Sequence, residues 1–190
     1  MVPGFTEGRT FQGNDFTSKF LEKGEYEECT FRQCDFSNSD LSSVIFMDCY
    51  FDDCNLTMVK LNKTAFRDVK FNHCKMLGLH FEDCNDIGLS FTLENCNLSH
   101  SSFYKINLKK AVLKNLNLLE ADFTECNLIE SVMLDCDLSG AVFDQTNLEK
   151  ADLSSSFNYI IDPAKNKMKK AKFSISGLPG LLTSYELEII

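Results

Sequence analysis

Along most of this chain every fifth side chain is large and apolar. Phe11, Phe16, Leu21, Tyr26, Phe31, Phe36, Leu41, Phe46, Phe51, Leu56, Leu61, Phe66, Phe71, Met76 and Phe81 share one register. A second register, displaced by two, runs from Leu93 and Leu98 through Phe103, Leu108, Leu113, Leu118, Phe123, Leu128, Met133, Leu138, Phe143 and Leu148 to Leu153. A period of five fits neither the 3.6 residues of an α-helix nor the simple alternation of a long strand. Two residues before each apolar position stands a mostly small one, as at Cys29, Cys34, Ser39, Val44, Cys49 and Cys54, and later at Ala111, Ala121, Cys126, Ser131 and Cys136. A spacing of two places both side chains on one face of an extended segment. The remaining three positions are mostly polar. Each pentad therefore predicts a very short strand and a corner, with one large and one small residue pointing inward.

A fixed short period predicts a repeat architecture in which successive coils bury one another. If four pentads close a coil, residues 20 apart stack. Phe11, Phe31, Phe51 and Phe71 then form one ladder and Tyr26, Phe46 and Phe66 another. Each buried ring contributes roughly 1.5–3 kcal/mol relative to exposure. The period itself does not set the number of pentads per coil. The sequence small–Asn/Asp–Leu/Phe–polar–polar, as in Cys34-Asp35-Phe36-Ser37-Asn38, Ala121-Asp122-Phe123-Thr124-Glu125 and Ala151-Asp152-Leu153-Ser154-Ser155, resembles the pentapeptide-repeat family over about residues 11–155. That resemblance implies an all-β fold, a right-handed quadrilateral β-helix, and supplies the four-sided coil.

The two registers meet between Phe81 and Leu93. Asp86 falls where an inward apolar residue is expected and Gly88 follows, so a two-residue bulge is predicted near Asn85–Gly88. Phe91 fits either the last position of the first ladder or an oversized inward position of the second. The irregularity over 85–92 reads as a tolerated insertion or as a contact loop. The coil is expected to occupy 1–157, and a last partial coil, a short helix and a C-terminal cap to occupy 158–190. Asp162-Pro163 has the form of a helix start. Ala171-Lys172-Phe173 repeats the pentad signature. Ser176 can cap a short helix through about Ser184, with Leu178, Leu181, Leu182 and Tyr185 on one side, and Leu187, Ile189 and Ile190 read as a terminal strand. The segment covers the apolar end of the stack, either as a lid alone or as a lid that also carries a dimer contact.

All nine cysteines (Cys29, Cys34, Cys49, Cys54, Cys74, Cys84, Cys96, Cys126 and Cys136) occupy the small inward column, which assigns them as small apolar fillers with free thiols. Their odd number argues against a disulfide framework. His73, His80 and His100 lack zinc-ligand spacing, and no nucleophile elbow, dinucleotide fingerprint or phosphate loop is present. No metal, no cofactor and no catalysis are expected.

Charge points to a partner. The 190 residues carry a net charge of −9, which argues against direct contact with nucleic acid and suits a basic protein partner. Residues 1–162 hold 14 Lys and Arg against 26 Asp and Glu, a net −12, while 163–190 are net +3. With a 20-residue coil, Glu28, Asp48 and Asp68 form a vertical acidic column with Asp52 and Asp53 nearby. Stacked like charges are mildly destabilising, so the fold alone does not favour them. Lys110, Glu130 and Lys150 instead alternate in sign. The acidic column is either a solvated face or a partner site. No apolar stretch approaches a membrane span and no leader is apparent, so the expected location is cytoplasmic.

Within the family, the length, the single mid-coil irregularity and the short C-terminal cap are similar to Qnr-type proteins and to immunity proteins against gyrase-poisoning peptides. This likeness implies a non-catalytic, DNA-mimicking protein that binds DNA gyrase or topoisomerase IV, with a possible homodimer through the C-terminal end. About seven coils at roughly 4.8 Å would give about 35 Å, the length of roughly ten base pairs. The chain lacks the long projecting loop of many Qnr-type members. The competing reading is a scaffold that binds another cytoplasmic protein along a flat face.

Overall fold

The structure, a computed structural model, describes residues 4–188. The chain forms two compact units, one up to Leu98 and one from Ser99 onward. Both are parallel β-solenoids, with about seven turns between them. In the first unit, strands β1 (Gly4–Glu7), β3 (Gly24–Glu27), β5 (Ile45–Met47) and β7 (Ala65–Arg67) stack as one parallel sheet. On the adjoining side β2 (Thr10–Gln12), β4 (Thr30–Arg32), β6 (Tyr50–Asp52), β8 (Val69–Asn72) and β9 (Phe91–Glu94) stack in the same way. The other two sides are single-residue bridges, Asp15–Asp35–Asn55–Lys75 and Asp40–Lys60. The 20-residue register and four sides per coil thus hold. In the second unit β10 (Val112–Lys114) pairs with β11 (Val132–Leu134), and bridges such as Asn107–Asn127–Asn147 complete the sides.

The corner explains the pentad sequence. In the pentad around Phe36, the amide of Ser39 donates to the Phe36 carbonyl at 2.9 Å, and Asn38 between them is left-handed at φ 57°. The same conformation recurs every five residues, mostly in non-glycine residues, from Glu28 and Gln33 to Lys150. A left-handed L-residue costs on the order of 1 kcal/mol. The strain is offset because the corner amide then reaches the next coil, as Asn38 N does to Thr57 O at 2.9 Å. The preceding Asn or Asp closes the turn from the side: Asp35 Oδ1 accepts from Ser37 N at 2.9 Å, and Asp40, Asp122 and Asp152 do likewise. Asn or Asp at that position therefore stabilises the turns that carry it, while corners such as Asp48 and Asp53 form with Ile45 and Tyr50 there instead.

Inside, large residues stack. Phe11, Phe31, Phe51 and Phe71 lie face to face at 4.8, 4.7 and 5.0 Å between centroids, and Phe46 meets Phe51 edge-on at 5.3 Å and 75°. In the second unit Phe103, Phe123 and Phe143 repeat the stack at 5.0 and 5.1 Å.

The small column also supplies hydrogen-bond donors. Thr64 Oγ1 donates to Leu41 O at 2.8 Å, Ser156 Oγ to Met133 O at 2.9 Å and Cys54 Sγ to Phe31 O at 3.3 Å, each reaching a carbonyl 23 residues earlier. A carbonyl turned inward at a corner must find a partner. This role was not readable from small size alone. All nine cysteines are free, eight of them buried. Burial pushes the thiols of Cys49 and Cys126 up to about 12 and that of Cys136 to about 11. Neighbouring thiols draw Cys54 and Cys96 the other way, but both are buried out of reach of a reagent, so a thiol reagent at neutral pH is expected to leave the native protein essentially unlabelled and to count nine thiols after denaturation. Rapid labelling of several thiols in the native state would contradict the assigned packing.

The register shift sits where expected. Val69 pairs with Phe91 and Phe71 with Leu93, a separation of 22. Phe91 thus occupies the small-column position of the second register, partly exposed, with its ring 5.1 Å from Phe81. The extra residues form an excursion that begins at Asn85, whose Oδ1 accepts from Ile87 N at 2.9 Å, and turns at Gly88 with φ 72°.

The C-terminal end departs from expectation in four places. Asp162-Pro163 starts a turn rather than a helix: Asp162 Oδ1 accepts from Ala164 N, and the coil resumes with Lys167 bridging Asn147. The capping serine is Ser174, which accepts from Gly177 N at 3.0 Å, while Ser176 lies inside a 3₁₀ turn. The helix α1 is only Pro179–Leu182, and Gly177 and Gly180 lie so close to Tyr159 that a Cβ on either would collide with it. Leu187 is not in a strand, and Ile189 and Ile190 lie outside the described residues. Tyr159 is buried beneath this segment, 5.4 Å from the Phe173 ring. Leu181 and Leu182 are half-buried, whereas Leu178, Tyr185 and Leu187 are exposed.

Candidate partner-binding surface

The side of the first unit built from β1, β3, β5 and β7 carries the acidic column. Glu28, Asp48 and Asp68 occupy successive left-handed corners at φ 50°, 51° and 52°. Glu28 N donates to Met47 O at 3.0 Å and Asp48 N to Arg67 O at 2.9 Å, which fixes one corner above the next. All three side chains are exposed. Glu28 and Asp48 have no ion-pair partner among the described residues; Asp68 accepts from Ser90 Oγ at 2.9 Å.

Asp52 and Asp53 belong to the adjoining side. Asp52 is largely satisfied: Asn72 Nδ2 donates to it at 3.2 Å, Arg32 Nε lies at 4.0 Å and His73 Nδ1 at 3.9 Å. Asp53 is an exposed corner at φ 53°. The structure therefore joins Glu28, Asp48 and Asp68 and sets Asp52 apart within a mixed polar cluster. It adds residues that sequence reading missed. Glu7 and Glu27 are direct register partners, with Glu25 two residues before Glu27 on the same strand. Their 20-residue spacing was the available signal. Arg67, in register with Met47, places one cation beside the column. Ile87, on the excursion, is 73% exposed.

The second unit is built differently. Glu130 lies 2.8 Å from Lys150 Nζ and 3.8 Å from Lys110 Nζ, and Lys105–Glu125, His100–Glu120 and Lys172–Asp152 pair at 3.5, 3.2 and 2.9 Å. Lys150 hydrogen-bonds to Glu130 and lowers its pKa. Such exposed pairs contribute little individually, yet they show that corner columns can be neutralised across coils. The column of the first unit is not.

Local hydrogen bonds hold other carboxylates in charged form. Bonds from Ser42 bring Asp40 down to about 2, and bonds from Ser154 and Lys172 do the same for Asp152. A folded pKa below the unfolded 3.8 contributes stability that is present above that value and lost as pH falls toward 2. Thermal stability is therefore expected to vary little between neutral pH and about 5, and to fall between about 4 and 2. A melting temperature that rises steadily into that range would contradict this assignment.

Among the described residues no group of three His, Cys, Asp or Glu could hold a metal ion, and no helix is long and apolar enough to cross a membrane. The interior is filled, and the concavities lie on the surface.

With this geometry in place, comparison with known proteins identifies the class. The model described as "Pentapeptide repeat region" matches residues 25–92, and "Pentapeptide repeats (8 copies)" matches residues 93–128 and 121–156. The chain belongs to the pentapeptide-repeat family. Among solved structures it is similar to two trypsin-treated variants of QnrB1, a plasmid-mediated fluoroquinolone resistance protein. Both are 21% identical to it, with TM-scores of 0.63 and 0.59. The matches cover 100% of this chain and 99% and 92% of those chains. This likeness establishes the shared fold. No curated protein sequence matches the chain.

Proposed function

We propose that this protein is a non-catalytic, cytoplasmic binding protein that occupies the DNA-binding surface of a type II topoisomerase, DNA gyrase or topoisomerase IV, and modulates the enzyme or protects it from fluoroquinolones or peptide toxins. The observation that carries the reading is the unneutralised column of Glu28, Asp48 and Asp68, extended by Glu7, Glu25 and Glu27. Stacked charge of one sign lowers fold stability, and a surface that retains it fits a basic partner. The coil spacing of roughly 4.8 Å sets these carboxylates at intervals comparable to duplex phosphates. The full-length fold likeness to a fluoroquinolone resistance protein supports the choice of partner. A homodimer through the C-terminal end is part of the proposal, resting on exposed Leu178, Tyr185 and Leu187; sedimentation equilibrium tests it, and a monomer at all concentrations would remove it.

The function is tested by gyrase supercoiling with and without a fluoroquinolone across a titration of this protein. Rescue of the poisoned enzyme supports protection. Inhibition without rescue supports mimicry alone. Absence of any effect, with no binding to either enzyme at low salt, overturns the proposal. One feature favours a scaffold instead: exposed Val112 stacks on half-buried Val132, with exposed Leu134 beside them. A partner held there would bind with little dependence on salt.

A further inference from the structure

Cross-coil pairing in the second unit stops short of its last coil. On the side that stacks Asn107, Asn127, Asn147 and Lys167, one corner lies over the next: Lys110 N donates to Ile129 O, Glu130 N to Glu149 O and Lys150 N to Lys169 O, all at 2.9 Å. Glu130 is shared by Lys110 and Lys150. Lys170 follows Lys150 in the same left-handed column, at φ 63° and 58°, and has no ion-pair partner among the described residues; nor have Lys109, Lys167 and Lys169. Residues 107–110, 127–130, 147–150 and 167–170 thus present six exposed lysines against Glu130 and Glu149, a net +4 on a chain that is net −9. Lys170 over Lys150 is a stacked like-charge pair, which the fold alone does not favour.

The matching charge lies on the first unit. Its side of β1, β3, β5 and β7 carries, over residues 4–8, 24–28, 44–48 and 64–68, six carboxylates against Arg67, a net −5. Both sides are parallel stacks that repeat every 20 residues, at roughly 4.8 Å per coil. Two such sides laid together keep the same interval, so several cations can meet several carboxylates at once without distortion of either coil. At about 0.1 M salt, exposed charges more than about 10 Å apart are largely screened, so the sides in contact decide the sign of the interaction despite the net −9 of each copy. We infer that the lysine side of the second unit docks on the acidic side of the first unit of another copy of this chain. Complementary charge of this kind fixes partner and register. The contact is separate from the apolar C-terminal dimer and needs no topoisomerase. Because it covers the acidic column, it competes with any basic partner that uses that column.

The test is sedimentation velocity of the full chain across concentration, at about 0.1 M and about 1 M salt, where the screening length is about 10 and about 3 Å. Mass that rises with concentration is expected at the lower salt, with association about tenfold weaker or worse at the higher. The double variant Lys169→Glu, Lys170→Glu and the triple variant Glu28→Lys, Asp48→Lys, Asp68→Lys should each lose this association by about tenfold or more, since each spoils one of the two sides. Glutamate already occupies left-handed corners at Glu125 and Glu130, with φ 54° and 58°, so the double reversal is compatible with the coil. Mixed in equal amounts, the two variants should associate again, because the first keeps the acidic side and the second the lysine side. A C-terminal apolar dimer responds to neither reversal. A parent whose mass is independent of concentration at the lower salt, association unchanged by either reversal, or a mixture no heavier than its components would each overturn the inference. So would a monomeric parent that binds hexaglutamate or duplex DNA through the same lysines, which would assign the side to another anion. Equal association of the parent at both salts overturns it as well, and that comparison needs no variant, so a variant that fails to fold does not spare the inference.

Discussion

Replacing Phe51 by alanine is expected to destabilise the first unit by about 3–5 kcal/mol. Phe51 is fully buried. Its ring stacks between Phe31 at 4.7 Å and Phe71 at 5.0 Å and meets the edge of Phe46 at 5.3 Å. Coils above and below are tied by the Phe31–Phe51–Phe71 register and by amide bonds such as Asn55 N to Cys34 O, so they cannot close over the space a missing ring leaves. The removed area and the residual cavity both count against the variant. Urea denaturation with the parent as reference measures the loss. A cost below about 1 kcal/mol would mean that the ring ladder adapts and is not a rigid stack. Phe20→Ala, at an exposed site, is the internal comparison and should change stability by no more than about 0.5 kcal/mol.

The second large effect concerns binding. The triple variant Glu28→Lys, Asp48→Lys, Asp68→Lys is expected to lose topoisomerase binding by about a hundredfold or more, while its stability stays close to that of the parent. The separation follows from the corner. These side chains make no core contact, and lysine already occupies left-handed corners at Lys63, Lys110 and Lys150 with φ 58°, 62° and 58°. Reversal leaves three like charges stacked on the column with the opposite sign, so that repulsion is neither added nor removed. Loss of binding without loss of fold would assign the column to the partner. Calorimetric melting beside a gyrase binding titration provides both readings, and a variant that melts earlier but binds normally would reverse the assignment.

Most of the fold was legible because one constraint repeats. An inward large residue every five positions leaves little choice of architecture, and the 20-residue ladders Phe11–Phe31–Phe51–Phe71 and Tyr26–Phe46–Phe66 formed as the spacing implied. Phe91 could not be placed from sequence because both registers accept an aromatic there; pairing with Val69 decided it. The C-terminal cap was misread where local signals had two meanings. Asp followed by Pro suits a helix start and an Asx turn equally, and at Asp162 the continuing coil selected the turn.

The acidic column was legible for the same reason as the ladders, since the coil period dictates what stacks on Glu28. The tertiary neighbours of Asp52 were not. Its pairing with Asn72, Arg32 and His73 depends on side-chain directions across two coils, and it removes Asp52 from the free acidic set. Glu7 and Glu27 escaped attention although their spacing was visible, because Glu7 lies ahead of the first regular pentad.

The central claim is that the acidic column of the first unit meets a basic DNA-binding surface. Affinity for purified gyrase, measured across salt for the parent and for the triple corner variant, tests it most directly. The account predicts parent binding that weakens steeply as salt rises and a variant that does not bind even at low salt. Binding that is flat in salt and equal in parent and variant would contradict it.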